Sequence, residues 1–480
     1  MTDDKNQDIT SSETAMLTET FSNIAQNIKT ELDDRINNYS NSLLYKYYNN
    51  LFYFIPKHCL LQIEDSNYSS YRIVPDEQFF IYDKKSERSL TYTPRMETNI
   101  LPAEKVQCYK VNDNNLAVKI RLKNSFEHDS FNLWINPNLS NRENYSIDGF
   151  LEEILNSKTT DIFAKVIYSD GSEAIKKIFL SKLRYQLKPI ENIAIEIHSR
   201  SICHGFNIKI ENLFSYKSDE VKRITLYFKV NVSAYGLHEI DDLFKINLVP
   251  VFNLFDDYSY SFYANKLLSQ AVIKHDQDVS AIPISINSVY ENNKIAEFNN
   301  FYFEGANEYY FNVSKHNLDY NVVFPDLANR NNNTKIHVYA TWTQDLDLSN
   351  LIEVNSSLIA STQCKIKPIS ILPSKSNFNQ SSATIFNLVD KLVSNNIYMK
   401  STFLSILSLL DLPKEKMDLF AELIQDIDVD VITNHLMIIT SNKYSKESKF
   451  FLRSILRMVC QFININSFTY IKEFSINEGR

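Results

Sequence analysis

Residues 248–257 read LVPVFNLFDD, a short apolar run that contains a proline and ends in two adjacent carboxylates. Apolar residues at this density predict a β-strand. Pro250 lacks the N–H that a sheet interior requires, so we expect an edge strand or a bulged strand. Asp256 and Asp257 predict a solvated turn that ends the strand. The segment is therefore either a site of acid chemistry or a place where the chain makes a structural contact.

The acid pair is a weak candidate for chemistry. Successive side chains of a strand face opposite ways, so Asp256 and Asp257 do not present both carboxylates to one point. No further acid or histidine lies at a spacing that would complete a metal or acid–base site. The sequence therefore favours a structural role for the pair.

A second candidate cluster is the heptapeptide HSRSICH at residues 198–204, flanked by two glutamates. Zinc sites need three or four ligands, and the spacing here matches no known ligand pattern. Alternation over residues 190–200 predicts a strand, with His198, Cys203 and His204 as ordinary strand-end residues. We expect no metal site and no catalytic residues, although a hydrolase triad formed in space stays an alternative. The cluster comprises His198, Cys203 and His204 with Glu196 and Glu211.

Glycine is scarce, with six in 480 residues, and none is clustered. Phosphate-binding loops need clustered glycines so that backbone N–H groups can approach the ligand. The sequence contains none of the common nucleotide-binding motifs, so we expect no cofactor. Turns must instead use asparagine and aspartate, which tolerate left-handed backbone conformations next best.

Charge and cysteine content indicate which partners and which cellular compartment to expect. Fifty basic and 58 acidic residues give a net charge of −8, which gives no reason to expect nucleic acid as a partner. Five scattered cysteines without a CxxC motif indicate buried free thiols in a reducing compartment. An acidic, polar N-terminus and the lack of a long apolar run predict neither a signal peptide nor membrane insertion. We expect a cytoplasmic protein.

The chain predicts an α+β fold with an N-terminal helical arm, β-rich middle domains and a C-terminal helical region. The arm carries apolar residues at helical spacing, among them Phe21, Ile24, Ile28 and Leu32. At the other end, residues 443–462 predict a basic amphipathic helix that either packs on a neighbour or binds an anionic surface. The predicted division is 1–58 for the arm, 59–188 for a first β-rich domain with a short helix, 189–372 for a second β-rich domain and 383–480 for the helical region.

Two stretches resemble a known family in the identity and spacing of their residues, and not only in hydrophobic periodicity. Residues 31–63 contain Leu-Asp-Asp, Leu-Leu, Tyr-Tyr and Ile-Pro in an order and spacing that resemble the early segment of the type VI secretion baseplate subunit TssF, also called ImpG or VasA. The opening decapeptide resembles the second hallmark of that family, a strand that ends in Pro-Val-x-Asn-Leu-Phe. The chain looks most like the short, divergent IglH-type members of pathogenicity-island systems. The tentative partner-interface residues are Leu32, Asp33 and Asp34, and Pro250, Val251, Asn253, Leu254 and Phe255.

The resemblance implies a role in assembly rather than catalysis. TssF subunits pair with a second copy and with a TssG chain to form a wedge. Wedges surround the VgrG spike, bind TssK adaptors and support the sheath and the inner tube. The resemblance thus implies TssG-like, TssK-like, VgrG-like and sheath partners, no enzymatic activity, and a place at the inner face of the membrane when assembled. The alternative is a β-rich carbohydrate- or protein-binding module, which would present an exposed aromatic groove.

Overall fold

The computed structural model shows an α+β, β-rich fold, as the sequence predicts. Thirty strands form seven sheets among the described residues, and six α-helices accompany them. The structure describes residues 19–30, 32, 53–64, 71–75, 77–124, 126–140, 145–158, 161–214, 220–237, 240–263, 270–299, 309–313, 320–323, 334–344, 346, 348, 352–356, 364–376, 399–408, 412, 414–430, 435–440 and 470–471.

The largest sheet has eight antiparallel strands in the order β14-β9-β12-β11-β10-β13-β8-β7. Alternating apolar residues along each strand bury one face under helix α3 (Tyr145–Leu155), whose Phe150 and Ile154 share a single core with Leu226 and Phe244. The other face is exposed along its central strands. The strands are β7 (Ala103–Asn112), β8 (Asn115–Leu122), β9 (Ser130–Ile135), β10 (Ile162–Tyr168), β11 (Glu173–Lys182), β12 (Gly205–Ile210), β13 (Val221–Lys229) and β14 (Phe244–Ile246).

A second sheet has six strands in the order β25-β4-β5-β15-β2-β26, and its buried residues form a separate core. Strands from both sides of residues 188 and 189 share both large sheets. The predicted domain boundary thus crosses two sheets, and the division into domains stays a prediction. The strands are β2 (His58–Glu64), β4 (Phe79–Asp83), β5 (Arg88–Pro94), β15 (Leu248–Phe252), β25 (Ile352–Ser356) and β26 (Lys365–Leu372).

A third sheet has five strands around Trp342, which is fully buried in its own core. Its order is β16-β24-β19-β20, and β17 also pairs with β24. A four-stranded sheet in the order β18-β23-β22-β21 completes the middle of the chain. The strands are β16 (Phe255–Tyr258), β17 (Phe262–Tyr263), β18 (Gln270–Val272), β19 (Ala281–Glu291), β20 (Lys294–Ala296), β21 (Phe298–Asn299), β22 (Tyr309–Val313), β23 (Tyr320–Val323) and β24 (Lys335–Gln344).

Three small sheets and the helices complete the described fold. The helical pattern of residues 417–427 ends at Leu423 and continues as strand, so the C-terminal region is helical only in part. The small-sheet strands are β1 (Phe54–Ile55) with β27 (Lys375–Ser376), β3 (Tyr71–Ile73) with β6 (Thr98–Ile100), and β28 (Ile424–Asp430) with β29 (His435–Thr440) and β30 (Tyr470–Ile471). The helices are α1 (19–30), α2 (Pro137–Ser140), α3 (Tyr145–Leu155), α4 (Pro189–His198), α5 (Lys400–Ser408) and α6 (Lys414–Leu423).

Asparagine takes over the turn positions that glycine usually fills. Of the five described non-glycine residues with positive φ, four are asparagines and the fifth is Glu87. The prediction drawn from scarce glycine is confirmed for asparagine, whereas none of the five is an aspartate. Gly205 is needed for space instead, because a Cβ there would lie 2.6 Å from the Trp134 ring.

Candidate assembly site

The decapeptide of residues 248–257 joins three sheets. Strand β15 follows β14 of the eight-stranded sheet, runs through the six-stranded sheet, and leads into β16 of the five-stranded sheet. An asparagine stands at each crossing. Asn247, at the first crossing, has φ 58°, and its side-chain amide exchanges hydrogen bonds of 2.8 and 2.9 Å with the backbone of Leu101. The backbone C=O of Asn247 also accepts from the N–H of Ile63 at 3.0 Å.

Asn253, at the second crossing, is completely buried. Its Nδ2 donates to the Thr91 carbonyl at 2.9 Å and to Oε1 of Gln344 at 3.0 Å. Its Oδ1 accepts from the Thr343 hydroxyl at 2.8 Å and from the Gln344 N–H at 2.7 Å. Its backbone N–H donates to the Lys57 carbonyl at 2.7 Å. One side chain thus links β15 to β5 and to the end of β24, and all its polar groups are satisfied inside the chain.

We call the residues Asn253, Gln344, Thr91 and Thr343 the amide junction. Gln344 extends it, because its Nε2 donates to Asp278 at 2.5 Å while its Oε1 also accepts from the Thr91 N–H at 2.7 Å. Sequence reasoning missed Gln344, Thr91 and Thr343. The only available signal was that an asparagine inside an apolar run must find partners when it is buried.

Pro250 does not mark an edge, so that prediction was wrong: β15 lies between β5 and β2. The C=O of Asn247 and the N–H of Asn253 both point to β2. Because backbone groups alternate along a strand, position 250 faces the β5 side. Pairing with β5 begins only at Val251, opposite Pro94. The N–H that Pro250 lacks therefore has no strand opposite it.

The predicted interface residues of this segment are all buried within the chain, and Leu254 and Phe255 are 6% and 7% exposed. The geometry places them where the chain passes from the six-stranded sheet to the five-stranded sheet. A contact with a partner stays a prediction. Leu32 is 55% exposed at the end of the N-terminal helix, whereas Asp33 and Asp34 lie outside the described residues.

The acid pair begins a strand rather than ending one, which corrects the predicted turn. Asp256 and Asp257 lie in β16 and point to opposite faces. Asp256 accepts from the Thr341 hydroxyl at 2.6 Å, and Asp257 lies 3.3 Å from Nε2 of His275. Within the described residues, no three His, Cys, Asp or Glu side chains are grouped to hold a metal ion. The pair is structural in this geometry.

The HSRSICH cluster lies at the end of a helix, because residues 189–198 form α4 rather than the predicted strand. Pro189 begins that helix, and Glu191 accepts a hydrogen bond from the backbone N–H of Lys188 at 3.0 Å. His198 Nε2 lies 3.1 Å from the Tyr53 hydroxyl, and His204 Nε2 lies 2.8 Å from Asp148. The two histidines thus have different partners.

His58 pairs with Phe252 across β2 and β15 and is fully buried. Its Nδ1 lies 2.9 Å from the Pro56 carbonyl. Burial lowers the pKa of His58 to about 4, although the Pro56 carbonyl opposes the shift. The ring is therefore neutral at pH 7 and packs as part of the core. A buried neutral histidine makes this region sensitive to acid.

Three of the four described cysteines are buried and all four are free, as predicted. Burial raises the pKa of Cys108 to about 12. Such thiols are inert at neutral pH.

The described part of the N-terminal helix contacts water along its whole length. The side chains of Phe21, Ile24 and Ile28 are 69%, 48% and 60% exposed. They lie three or four residues apart and therefore share one helix face with Leu32. This stripe is an apolar surface that the described chain leaves uncovered. The predicted basic helix at residues 443–462 lies outside the described residues.

No protein-family model and no curated protein matches the sequence. The fold is similar to that of a chain in the cryo-electron microscopy structure of the type VI secretion system TssK-TssF-TssG baseplate subcomplex. The TM-score is 0.68, the sequence identity is 11%, and the likeness covers 95% of each chain. The chain has the fold of a baseplate component. No described helix is long and apolar enough to cross a bilayer.

Proposed function

We propose that the chain is a structural, non-enzymatic subunit of a type VI secretion baseplate wedge, of the TssF type. The observation that carries the proposal is the likeness along almost the whole of both chains to a component of a TssK-TssF-TssG subcomplex. Likeness of that extent leaves little of the chain for a separate catalytic domain. The short IglH-type subfamily, with a role in virulence, belongs to this proposal on the sequence motifs alone.

Two features support an assembly role. The amide junction links the six-stranded sheet to the five-stranded sheet, which suits a subunit that transmits geometry through rigid contacts. The N-terminal apolar stripe suits packing against helices of a partner, because such packing removes four exposed apolar side chains of one helix face from water. The partners proposed are a second copy, a TssG-like chain, a TssK-like adaptor, and VgrG-like and sheath components in the cytoplasmic baseplate.

The test is co-expression with the TssG-like and TssK-like chains of the same organism, followed by size-exclusion chromatography. We expect one large complex that contains all three chains. Alanines at Asn253, Leu254 and Phe255 should abolish it, but their burial means that such a variant also risks unfolding.

The sharper variant is therefore Phe21→Ser with Ile28→Ser, because both side chains are already exposed and the fold should persist. Asn23→Ser with Asn27→Ser, on another face of the same helix, is the matched control. We expect the apolar pair, and not the control pair, to elute as a folded free chain. A complex that forms equally well with all variants would speak against the stripe as a partner surface, and a wild-type chain that never joins the complex would refute the proposed function.

One observation favours the alternative of a carbohydrate- or protein-binding module. Tyr258, Tyr290, His337 and Tyr339 cluster on the outer face of the five-stranded sheet, where Tyr290 and His337 stack at 4.9 Å. Such an aromatic surface is what that alternative expects. Glycan binding by the isolated chain, lost in Tyr258→Ala, would favour it over the baseplate proposal.

A further inference from the structure

The outer face of the eight-stranded sheet carries an unusual set of side chains. Five adjacent strands, in the order β7, β8, β13, β10 and β11 from one edge of the sheet, place fifteen residues in three cross-strand rows on the side away from the core. We call this surface the basic face. Its rows, from β7 to β11, are Tyr109, Ala117, Tyr227, Phe163 and Lys177; Gln107, Lys119, Thr225, Lys165 and Ile175; and Lys105, Arg121, Arg223, Ile167 and Glu173.

Six of these fifteen residues are lysine or arginine, and only Glu173 is acidic. Two of the cations have carboxylate partners: Lys165 lies 2.7 Å from Glu173, and Arg121 lies 3.7 Å from Glu104 at the rim. The other four make no ion pair with a carboxylate of the described chain. They are Lys105, Lys119, Lys177 and Arg223.

The third row brings three cations together across three strands. Lys105 lies opposite Arg121, and Arg121 lies opposite Arg223. Like charges directly opposite one another destabilise a sheet, by up to about 1 kcal/mol for each pair. One partly exposed ion pair to Glu104 offsets little of that cost. The folded chain alone gains nothing from this arrangement, whereas an anionic partner would neutralise it.

The aromatic residues of the first row determine what kind of anion fits. Phe163 and Tyr227 stack on each other with centroids 4.7 Å apart and planes 16° apart, and Tyr109 lies in the same row. Phe163 and Tyr109 remain 36% and 41% exposed. Stacking covers one face of the Phe163 ring and one face of the Tyr227 ring, which leaves fewer open ring faces on which a nucleobase could stack. Ring edges carry positive potential and suit carboxylates, whereas nucleobases need open ring faces.

We propose that the basic face binds an acidic protein surface, one that presents carboxylates beside apolar side chains, on another subunit of the assembly. The exposed apolar residues Ile175 and Val111, at 74% and 51%, supply contact area beside the cations. The inference rests on the proposed function for the kind of partner, since a baseplate subunit is surrounded by other protein chains. Charge complementarity then accounts for the unpaired cations and for the cost of placing them together.

The test uses the full chain co-expressed with the TssG-like and TssK-like chains of the same organism. The variant is Lys119→Glu with Arg223→Glu. The matched control is Lys294→Glu with Lys335→Glu, which makes the same change in net charge on the five-stranded sheet, where both side chains are exposed. We expect the basic-face variant to stay folded and to lose at least about tenfold in affinity for the complex, while the control pair binds as the wild type does.

The dependence of binding on salt concentration distinguishes an electrostatic contact at the basic face from an apolar contact. Raising NaCl from about 0.1 M to about 1 M, which shortens the Debye length from about 10 Å to about 3 Å, should weaken the wild-type complex and leave the residual binding of the variant unchanged. Equal binding by wild type and basic-face variant would overturn this inference and leave the proposed function standing. A wild-type chain that joins no complex would refute the proposed function, and this inference with it. Binding of a single-stranded RNA probe that the variant abolishes would overturn the inference in favour of nucleic acid.

Discussion

The amide junction and the basic face are two polar regions that differ in whether their polar groups find partners inside the chain. At the junction, both polar groups of the Asn253 side chain have partners inside the chain, and the residue is inaccessible to solvent. On the basic face, four cations have no described carboxylate partner, and two of these, Lys105 and Arg223, flank a third cation, Arg121. Polar groups that are hydrogen-bonded within a chain stabilise its fold. Adjacent like charges on the surface destabilise the isolated chain, and we interpret them as a binding surface for a partner. Mutations in the two regions should therefore separate folding from assembly.

The largest effect is expected for Asn253→Ala. The substitution leaves the Thr91 carbonyl and the Gln344 N–H buried without their partner and opens a small cavity, which should lower the free energy of unfolding by about 3–5 kcal/mol. Urea denaturation followed by tryptophan fluorescence would measure the loss. Asn287→Ala is the control, because that amide is exposed, and its effect should stay within about 0.5 kcal/mol. Similar stability in both variants would remove the basis for treating the junction as a structural element.

Next in size is the response to acid beside the junction. The unfolded chain binds a proton at His58 below its ordinary pKa of 6.5, whereas the folded chain does so only near 4. The unfolded state thus binds more protons between these pH values. The free energy of unfolding therefore falls by about 3 kcal/mol as the pH falls from 6.5 to 4. His58→Phe keeps a ring opposite Phe252 and should make the fall with pH shallower by that amount. Parallel pH profiles for the two proteins would show that His58 is not the group responsible.

Local chemistry made part of this fold predictable. Scarce glycine predicted asparagine turns, and Asn247 occupies one of them at the entry to β15. The dipeptide Asp170-Gly171, a sequence typical of tight hairpins, joins β10 to β11. The alternation of residues 190–200 predicted a strand, but a proline at the first turn and the capping contact of Glu191 favour a helix over Pro189–His198, whose Ala194 and Ile195 are buried. Where strand and helix periodicities fit equally well, end signals decided.

The junction was not predictable because its parts are far apart in sequence. Thr91 lies 162 positions from Asn253, and Gln344 lies 91 positions away. Nothing in the local pattern around Gln344 distinguishes it from a surface residue at a strand end. The motif around Asn253 could be found by resemblance, but its physical role depended on sheet order. The same limit applies to the basic face, whose rows combine residues from five strands.

The smallest predicted effect is a gain, rather than a loss, in the stability of the isolated chain. Arg223→Thr removes a cation that lies directly opposite Arg121 and places a β-branched residue in a strand, so the isolated chain should become more stable by about 0.5 kcal/mol. Lys165→Thr is the matched control on the same face, because it loses an ion pair with Glu173 and should gain nothing. Thermal unfolding of the two variants measures the difference. A stability gain for Arg223→Thr together with weaker binding to the partner chains would show that the face is kept at a cost to folding, whereas a loss of stability would place Arg223 among the residues that hold the sheet together.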